Sequence, residues 1–219
     1  MTSQIPLLFS AEMMRAHLSG LKTETRRVLK KPSWAQSKGW PEGIMDEMDL
    51  SGRLQWYHKD TGCCSDLPIA QPGDLIWAKE NYRFHTIADL CRPGIMQPGD
   101  AIHYEADGKR VGRLSDNGGF SVGKLRPSIH MPKWASRLTL RVTEVAVERL
   151  QDISAESCKR EGVSVSEITL VNKGFLVAYR AAYRHLWNRI NGPDAWAQNP
   201  WVIVYRYEPI WQNVLEVAG

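Results

Sequence analysis

The chain has little cysteine. Its four, Cys63, Cys64, Cys91 and Cys158, include no Cys-x-x-Cys pair. No disulfide framework is therefore legible. Cys63 and Cys64 are adjacent, which is poor spacing for ligating one metal together. A zinc site drawing on His58, His85 and Cys91 is one reading of the thiols, and reduced structural cysteines are the other. The spacing favours the second, so neither a metal nor a cofactor is expected. Long apolar runs are missing too. The densest, "WVIVY" from Trp201, is far too short to span a bilayer. The first ten residues, MTSQIPLLFS, lack a basic start and a signal-peptide core. The expected location is the cytoplasm. Neither sign of charge dominates, with 28 basic residues against 24 acidic ones and a net charge of +4.

That charge is unevenly distributed. Residues 1–31 hold six Lys/Arg and two acids, residues 32–70 three and six, and residues 105–141 eight and three. Two basic stretches flanking an acidic one either form a patch for phosphate or are ordinary solvated faces. Tryptophan, by contrast, is abundant, with nine residues. Most are expected to pack in cores. Aromatics interleaved with basic residues also suit base stacking.

The length suits one domain with a large insertion. Ser10 can cap a helix from Ala11 to about Ser19, with Ala11, Met14 and Leu18 on its inner face and Gly20 ending it. "LKTETRRVL" reads as extended chain. Residues 32–70 have no sustained period and read as a long inserted loop, with a hairpin near "RLQWYH". "QPGDLIWAKE" from Gln71 and "QPGDAIHYEA" from Gln97 echo each other. Each places Pro-Gly at the centre of a type II turn and continues as a strand, which suggests two strands of one sheet. After a proline-punctuated loop comes a long strand, with Leu138, Leu140 and Val142 on one face and Arg137, Thr139 and Arg141 on the other. Ser154 caps a helix to about Glu161, closed by Gly162. A longer helix is expected over 173–190, with Phe175, Ala178, Ala182 and Leu186 as its stripe. "PWVIVYRYEP" is a closing strand. Several strands without βαβ alternation suggest an α+β fold: a small, mostly antiparallel barrel with flanking helices.

Gly20, Lys22, Thr23, Thr25 and Arg27 spell G-x-K-T-x-T-x-R. Together with the short helix before them and the Pro72-Gly73-Asp74 turn, they resemble the ASCH domain, a small barrel related to the PUA fold of RNA-binding proteins. "RPSIHMPKWASRLTLRV" and the "LWNRING" and "NPWV" segments look like the phage- and prophage-associated branch. In one branch of that family, enzymes remove the acetyl group from cytidine acetylated on its exocyclic amine. The resemblance implies Lys22 and Thr25 as catalytic residues, with Glu161 as the catalytic carboxylate. This chain is longer than those amidohydrolases, by the 32–70 insertion and the basic loop before Arg137. The difference points to a polymeric substrate rather than a free nucleoside.

A threonine hydroxyl needs a neighbouring base to become a nucleophile. A lysine can serve only when its amine is partly neutral, which burial and nearby cations such as Arg26 and Arg27 favour. On an ideal strand Lys22 and Thr25 face opposite ways, so a joint role requires a bend in "KTET". Glu161 sits in the last turn of its helix, where the macrodipole disfavours a carboxylate. It is either a surface residue or a site residue. Arg26 and Arg27 either hold the motif or meet substrate. His130, Lys133, Trp134 and Arg137 offer stacking and phosphate contact for RNA or another single strand, unless Trp134 simply plugs a core. Three functions follow: a metal-independent amidohydrolase on acylated cytidine, a non-catalytic binder of nucleic acid or modified base, and a ribonuclease.

Overall fold

The computed structural model describes residues 2–29, 47–48, 54–57, 64–66, 70–90, 96–112, 121–167 and 174–218. The first elements in chain order are β1 (Gln4–Leu8), α1 (Ala11–Leu18), β2 (Glu24–Val28), β3 (Glu47–Met48), β4 (Leu54–Tyr57) and β5 (Cys64–Asp66). Next come β6 (Leu75–Lys79), β7 (Tyr82–Phe84), β8 (Ile102–Tyr104), β9 (Arg110–Val111) and β10 (Thr139–Arg149). The chain continues with α2 (Ala155–Arg160), α3 (Phe175–Asn191), β11 (Trp201–Ile210) and α4 (Val214–Val217).

The protein is α+β. A mixed five-stranded sheet has the order β1-β6-β10-β11-β2, and two three-stranded antiparallel sheets have the orders β3-β4-β5 and β7-β8-β9. The chain divides into two compact units, Met1–Lys22 with Asp74–Arg141 and Glu208–Gly219, and Thr23–Gly73 with Val142–Tyr207.

In the first unit, β1 lies parallel to β6, with Gln4 opposite Leu75 and Leu8 opposite Lys79. Leu75, Ile76, Trp77 and Ala78 are all buried. A strand buried on both faces reads as a continuous apolar run. α1 begins as expected, with Ser10 Oγ accepting from the Met13 N–H at 3.2 Å. It ends at Gly20, whose φ of +71° suits glycine. Its buried residues are Met14 and His17, while Leu18 is exposed. His17 packs edge-on against Phe9, with ring centroids 5.0 Å apart, which displaces Leu18 from the inner face. A separate core joins Tyr82, Phe84, Ile102, Tyr104, Met131 and Ala135.

In the second unit, α3 packs on α2. Tyr179, Tyr183 and Trp187 join Cys158, Leu150, Ile153, Val202 and Val204 in one core. Each large side chain contributes about 1.5–3 kcal/mol by leaving water. α2 is capped by Ser154, whose Oγ accepts from the Ser157 N–H at 3.1 Å.

Besides Leu18, four expectations change. The five-stranded sheet includes a parallel pair, and no closed barrel forms among the described residues. The two Pro-Gly-Asp segments enter different sheets. β6 joins the five-stranded sheet and β8 the small one, although Gly73 and Gly99 share a positive φ, +90° and +99°. The inner stripe of α3 is Ala178, Tyr179, Tyr183 and Trp187, and Phe175 is exposed. The aromatic positions bury more area than the aliphatic stripe and set the helix rotation. Thr139 is fully buried, because its hydroxyl donates to the Gln212 carbonyl at 2.8 Å. Of the inserted segment, β3, β4 and β5 are paired strands, Trp56 standing opposite Ser65. The rest of the expected loop lies outside the described residues, as do His58, Cys63 and Cys91. No helix among the described residues is long and apolar enough to cross a membrane.

Candidate functional site

The motif strand β2 runs antiparallel to β11, with Arg206 opposite Glu24, Tyr205 opposite Thr25 and Val204 opposite Arg26. Alternation along a strand sorts its residues onto two faces. Glu24 and Arg26 share one face, and their side chains meet at 2.6 Å. Thr25 and Arg27 share the other, where the Arg27 Nη1 donates to Thr25 Oγ1 at 2.9 Å.

The Glu24 face is an ion network. Arg26 donates through Nε and Nη2 to Glu148 Oε1 at 2.9 and 2.7 Å. Its Nη1 donates to Glu161 Oε1 at 3.3 Å. Glu24 Oε2 accepts from Arg160 Nε at 2.8 Å and from Arg206 Nε at 3.0 Å. Arg206 reaches on to Glu144. Glu24, Thr25, Arg26 and Glu161 are all buried. Buried charges survive only when paired and hydrogen-bonded, and this network supplies both.

The electrostatics follow from the geometry. Burial opposes ionisation of Glu24, but Arg26, Arg160 and Arg206 together hold its pKa below the ordinary carboxylate value. Burial also works against the charge on Arg26, yet Glu161, Tyr183, Glu24 and Glu148 outweigh it and raise its pKa. Arg27 keeps some accessible surface, but its guanidinium is closely surrounded, and burial pulls its pKa down against Glu161 and three tyrosines.

α3 delivers Tyr183, whose hydroxyl donates to Glu161 Oε1 at 3.3 Å. Burial first and Glu161 second push its pKa well above the usual phenol range. Tyr207 donates to the Glu24 carbonyl at 3.3 Å and is pushed up in the same way. Both phenols therefore act as donors, as do the guanidiniums. The proton acceptors of this cluster are carboxylates. Cys158, at 0% exposure, has its thiol pushed up to about 12, chiefly by burial. It is unsuited to nucleophilic chemistry.

β2 begins at Glu24, so Lys22 precedes the strand. Lys22 is fully buried, and its N–H donates to the Ala16 carbonyl at 3.1 Å. It belongs to the first unit, whereas Thr25 and Glu161 belong to the second. Glu161 is the C-cap of α2 and only 4% exposed.

His130, Lys133, Trp134 and Arg137 all lie in the first unit. Arg137 is bound on two sides. Its Nε and Nη2 donate to Glu80 at 2.7 and 3.0 Å, and Nη1 and Nη2 donate to Asp107 at 2.8 and 3.1 Å. The guanidinium also lies 4.0 Å from the Tyr104 ring centroid. Trp134 stacks on Phe84, with centroids 6.0 Å apart. Both side chains are thus engaged within the fold. His130 is exposed and Lys133 half-buried, and their carbonyls accept from Tyr82 and Asn213.

Glu24, Glu148, Arg160, Arg206 and Tyr183 escaped the sequence reading. The signal for Glu24 was present, since a strand places residues two apart on one face and pairs Glu24 with Arg26. Glu148 and Arg206 come from distant strands, and no local spacing announces them. Among the described residues no group of three His, Cys, Asp or Glu is arranged to hold a metal ion. Compared with known protein families, with curated proteins and with solved structures, the chain matches none.

Proposed function

We propose that this chain is a hydrolase that removes an acyl group from the exocyclic amine of cytidine, free or within RNA. The observation that carries the reading is the burial of its chemistry. Lys22 and Thr25 are 0% exposed and Glu161 is 4% exposed. An exposed basic turn and a surface glutamate at a helix end, the plain alternatives, both require solvent. Thr25 Oγ1 is oriented by Arg27, and Glu161 by Arg26 and Tyr183. Orientation by neighbouring donors is what an acyl-transfer site demands of its reacting groups.

In this reading the Thr25 oxygen bonds to the acyl carbon and loses its proton to a base. By the resemblance that base is Lys22, three residues earlier in the chain. Glu161 passes that proton from the base to the departing cytosine amine as the C–N bond breaks, and water then attacks the acyl carbon, its hydroxyl leaving with the acid and its proton going back to the Thr25 oxygen. The test is release of acetate from cytidine acetylated on its exocyclic amine. Thr25→Val keeps the shape and removes the hydroxyl, so it abolishes release while the protein stays folded by circular dichroism. Wild-type protein without activity, or Thr25→Val with full activity, overturns the proposal.

A second reading, a non-catalytic binder of nucleic acid or modified base, draws on Arg26. Its Nε, Nη1 and Nη2 are all engaged by carboxylates, as in a structural keystone. It predicts binding of the acetylated nucleoside without turnover.

A further inference from the structure

We propose that Arg27 is a catalytic residue of the hydrolase: its guanidinium holds the Thr25 oxygen and stabilises the negative charge that this oxygen carries as the acyl group arrives and leaves. The proposal rests on the hydrolase reading and adds a fourth reacting-site group to Lys22, Thr25 and Glu161.

β2 sets the geometry. Residues two apart on a strand share a face, and Arg27 Nη1 lies 2.9 Å from Thr25 Oγ1. The same nitrogen donates to the Arg26 carbonyl at 3.1 Å. Held by two acceptors on one strand, it is fixed before any substrate binds. A donor so placed stabilises charge without reorganising at the moment of reaction. Thr25 is 0% exposed. Its hydroxyl accepts from Arg27 and donates to no acceptor among the described residues. Its oxygen is therefore engaged by a cation while its proton is unclaimed. A buried threonine that serves packing alone spends that proton on a carbonyl, as Thr139 does on Gln212 at 2.8 Å. Arg26 is unsuited to the same role, because Glu24, Glu148 and Glu161 take its three nitrogens.

A threonine alkoxide is hard to form and is a poor leaving group. Oγ1 gains negative charge twice, first as its proton goes to the base and later as its bond to the acyl carbon breaks under attack by water. A hydrogen bond from a cation favours the charged form in both steps. Arg27 keeps its own protons throughout, since a guanidinium is not deprotonated in proteins. The titratable groups around it are Glu161 at the end of α2, Tyr183 on α3, and Tyr205 and Tyr207 on β11. Glu161 opposes the field of Arg27 at Thr25, but its Oε1 accepts from Arg26, which offsets part of that charge. Tyr183 and Tyr207 are held well above the ordinary phenol range and bring no charge at neutral pH.

The experiment is steady-state release of acetate from cytidine acetylated on its exocyclic amine, at neutral pH. Wild type is compared with Arg27→Gln, Arg27→Lys and Arg27→Ala, each checked for folding by circular dichroism. Losing one charge-stabilising donor costs about 10²–10³ in kcat. An interaction made with the reacting atom leaves KM nearly unchanged. Arg27→Gln shows this split, and Arg27→Lys, which keeps the charge, retains a higher kcat than Arg27→Gln. Arg27 keeps some accessible surface, so a small solute reaches its place in Arg27→Ala. At concentrations far below those that unfold proteins, guanidinium restores acetate release to Arg27→Ala, whereas urea, similar in shape and uncharged, does not. Wild-type kcat in Arg27→Gln overturns the proposal. So does a loss confined to KM, or equal rescue by guanidinium and urea. Absence of release by wild type is a separate result, which overturns the hydrolase reading and this proposal with it.

Discussion

Replacing Glu24 by glutamine separates the buried part of the ion network from its exposed rim. Glu24 is 0% exposed and meets Arg26 at 2.6 Å, Arg160 at 2.8 Å and Arg206 at 3.0 Å. The Arg160 and Arg206 side chains are 42% and 33% exposed, so each of those pairs is worth about 0.5 kcal/mol. Arg26 is different, with a side chain 1% exposed. Removing one partner of a buried pair costs about 3–5 kcal/mol. The lower end applies, because Arg26 keeps Glu148 and Glu161. A loss of about 3 kcal/mol lowers the melting temperature of a chain this long by about 6–12 °C. Glu144→Gln is the control. Its side chain is 55% exposed, and its loss changes stability by about 0.5 kcal/mol or less. Thermal melts at neutral pH followed by circular dichroism measure both. The pH dependence adds a second condition. The folded pKa of Glu24 lies below its ordinary 4.5, so its stabilisation is complete above that value. It is lost as pH falls through the lower folded pKa. The gap between wild type and Glu24→Gln must therefore narrow in acid. A drop below about 2 °C at neutral pH, or a gap unchanged at about pH 3, refutes the reasoning.

Two further outcomes follow from the same structure. Glu80 is buried, with a pKa raised by that burial against the pull of Arg137. Arg137→Met strands its carboxylate at a cost of about 3–5 kcal/mol, and Glu80→Gln in the same chain recovers part of it, as urea titrations of the single and double variants will show. Cys158 is 0% exposed, with its thiol near 12, so iodoacetamide at mildly alkaline pH leaves it unlabelled in the native protein. Mass spectrometry of the peptides checks this, and rapid native labelling at Cys158 contradicts the packing.

Local signals in the sequence transferred well. Ser10 and Ser154 cap their helices, Gly20 and Gly162 take positive φ where those helices end, and β10 and β11 lie where their β-branched runs placed them. These features depend on a few neighbouring residues. The partition of strands did not transfer. Gln71 and Gln97 begin nearly identical segments, yet partners far away in the chain decide the sheet that each enters. The rotation of α3 was misjudged because volume at Tyr179, Tyr183 and Trp187 outweighed the count of apolar residues. At the candidate site, Lys22, Thr25 and Glu161 were singled out on resemblance. Their burial was not legible, since a lysine, a threonine and a glutamate more commonly face water. The ring of partners around Arg26 draws on β2, β10 and the end of α2, a convergence that only the tertiary structure creates.

The two faces of β2 also bear on how the chain tolerates change in length. A substitution at Thr25 or Arg26 alters one face and leaves the other intact. A single-codon deletion between Glu24 and Val28 would turn every residue downstream of it over. The hydroxyl side and the carboxylate-bound side would exchange places, and a guanidinium would be left among tyrosines without its counter-charge. Within these five residues, length is held more tightly than identity at any one position.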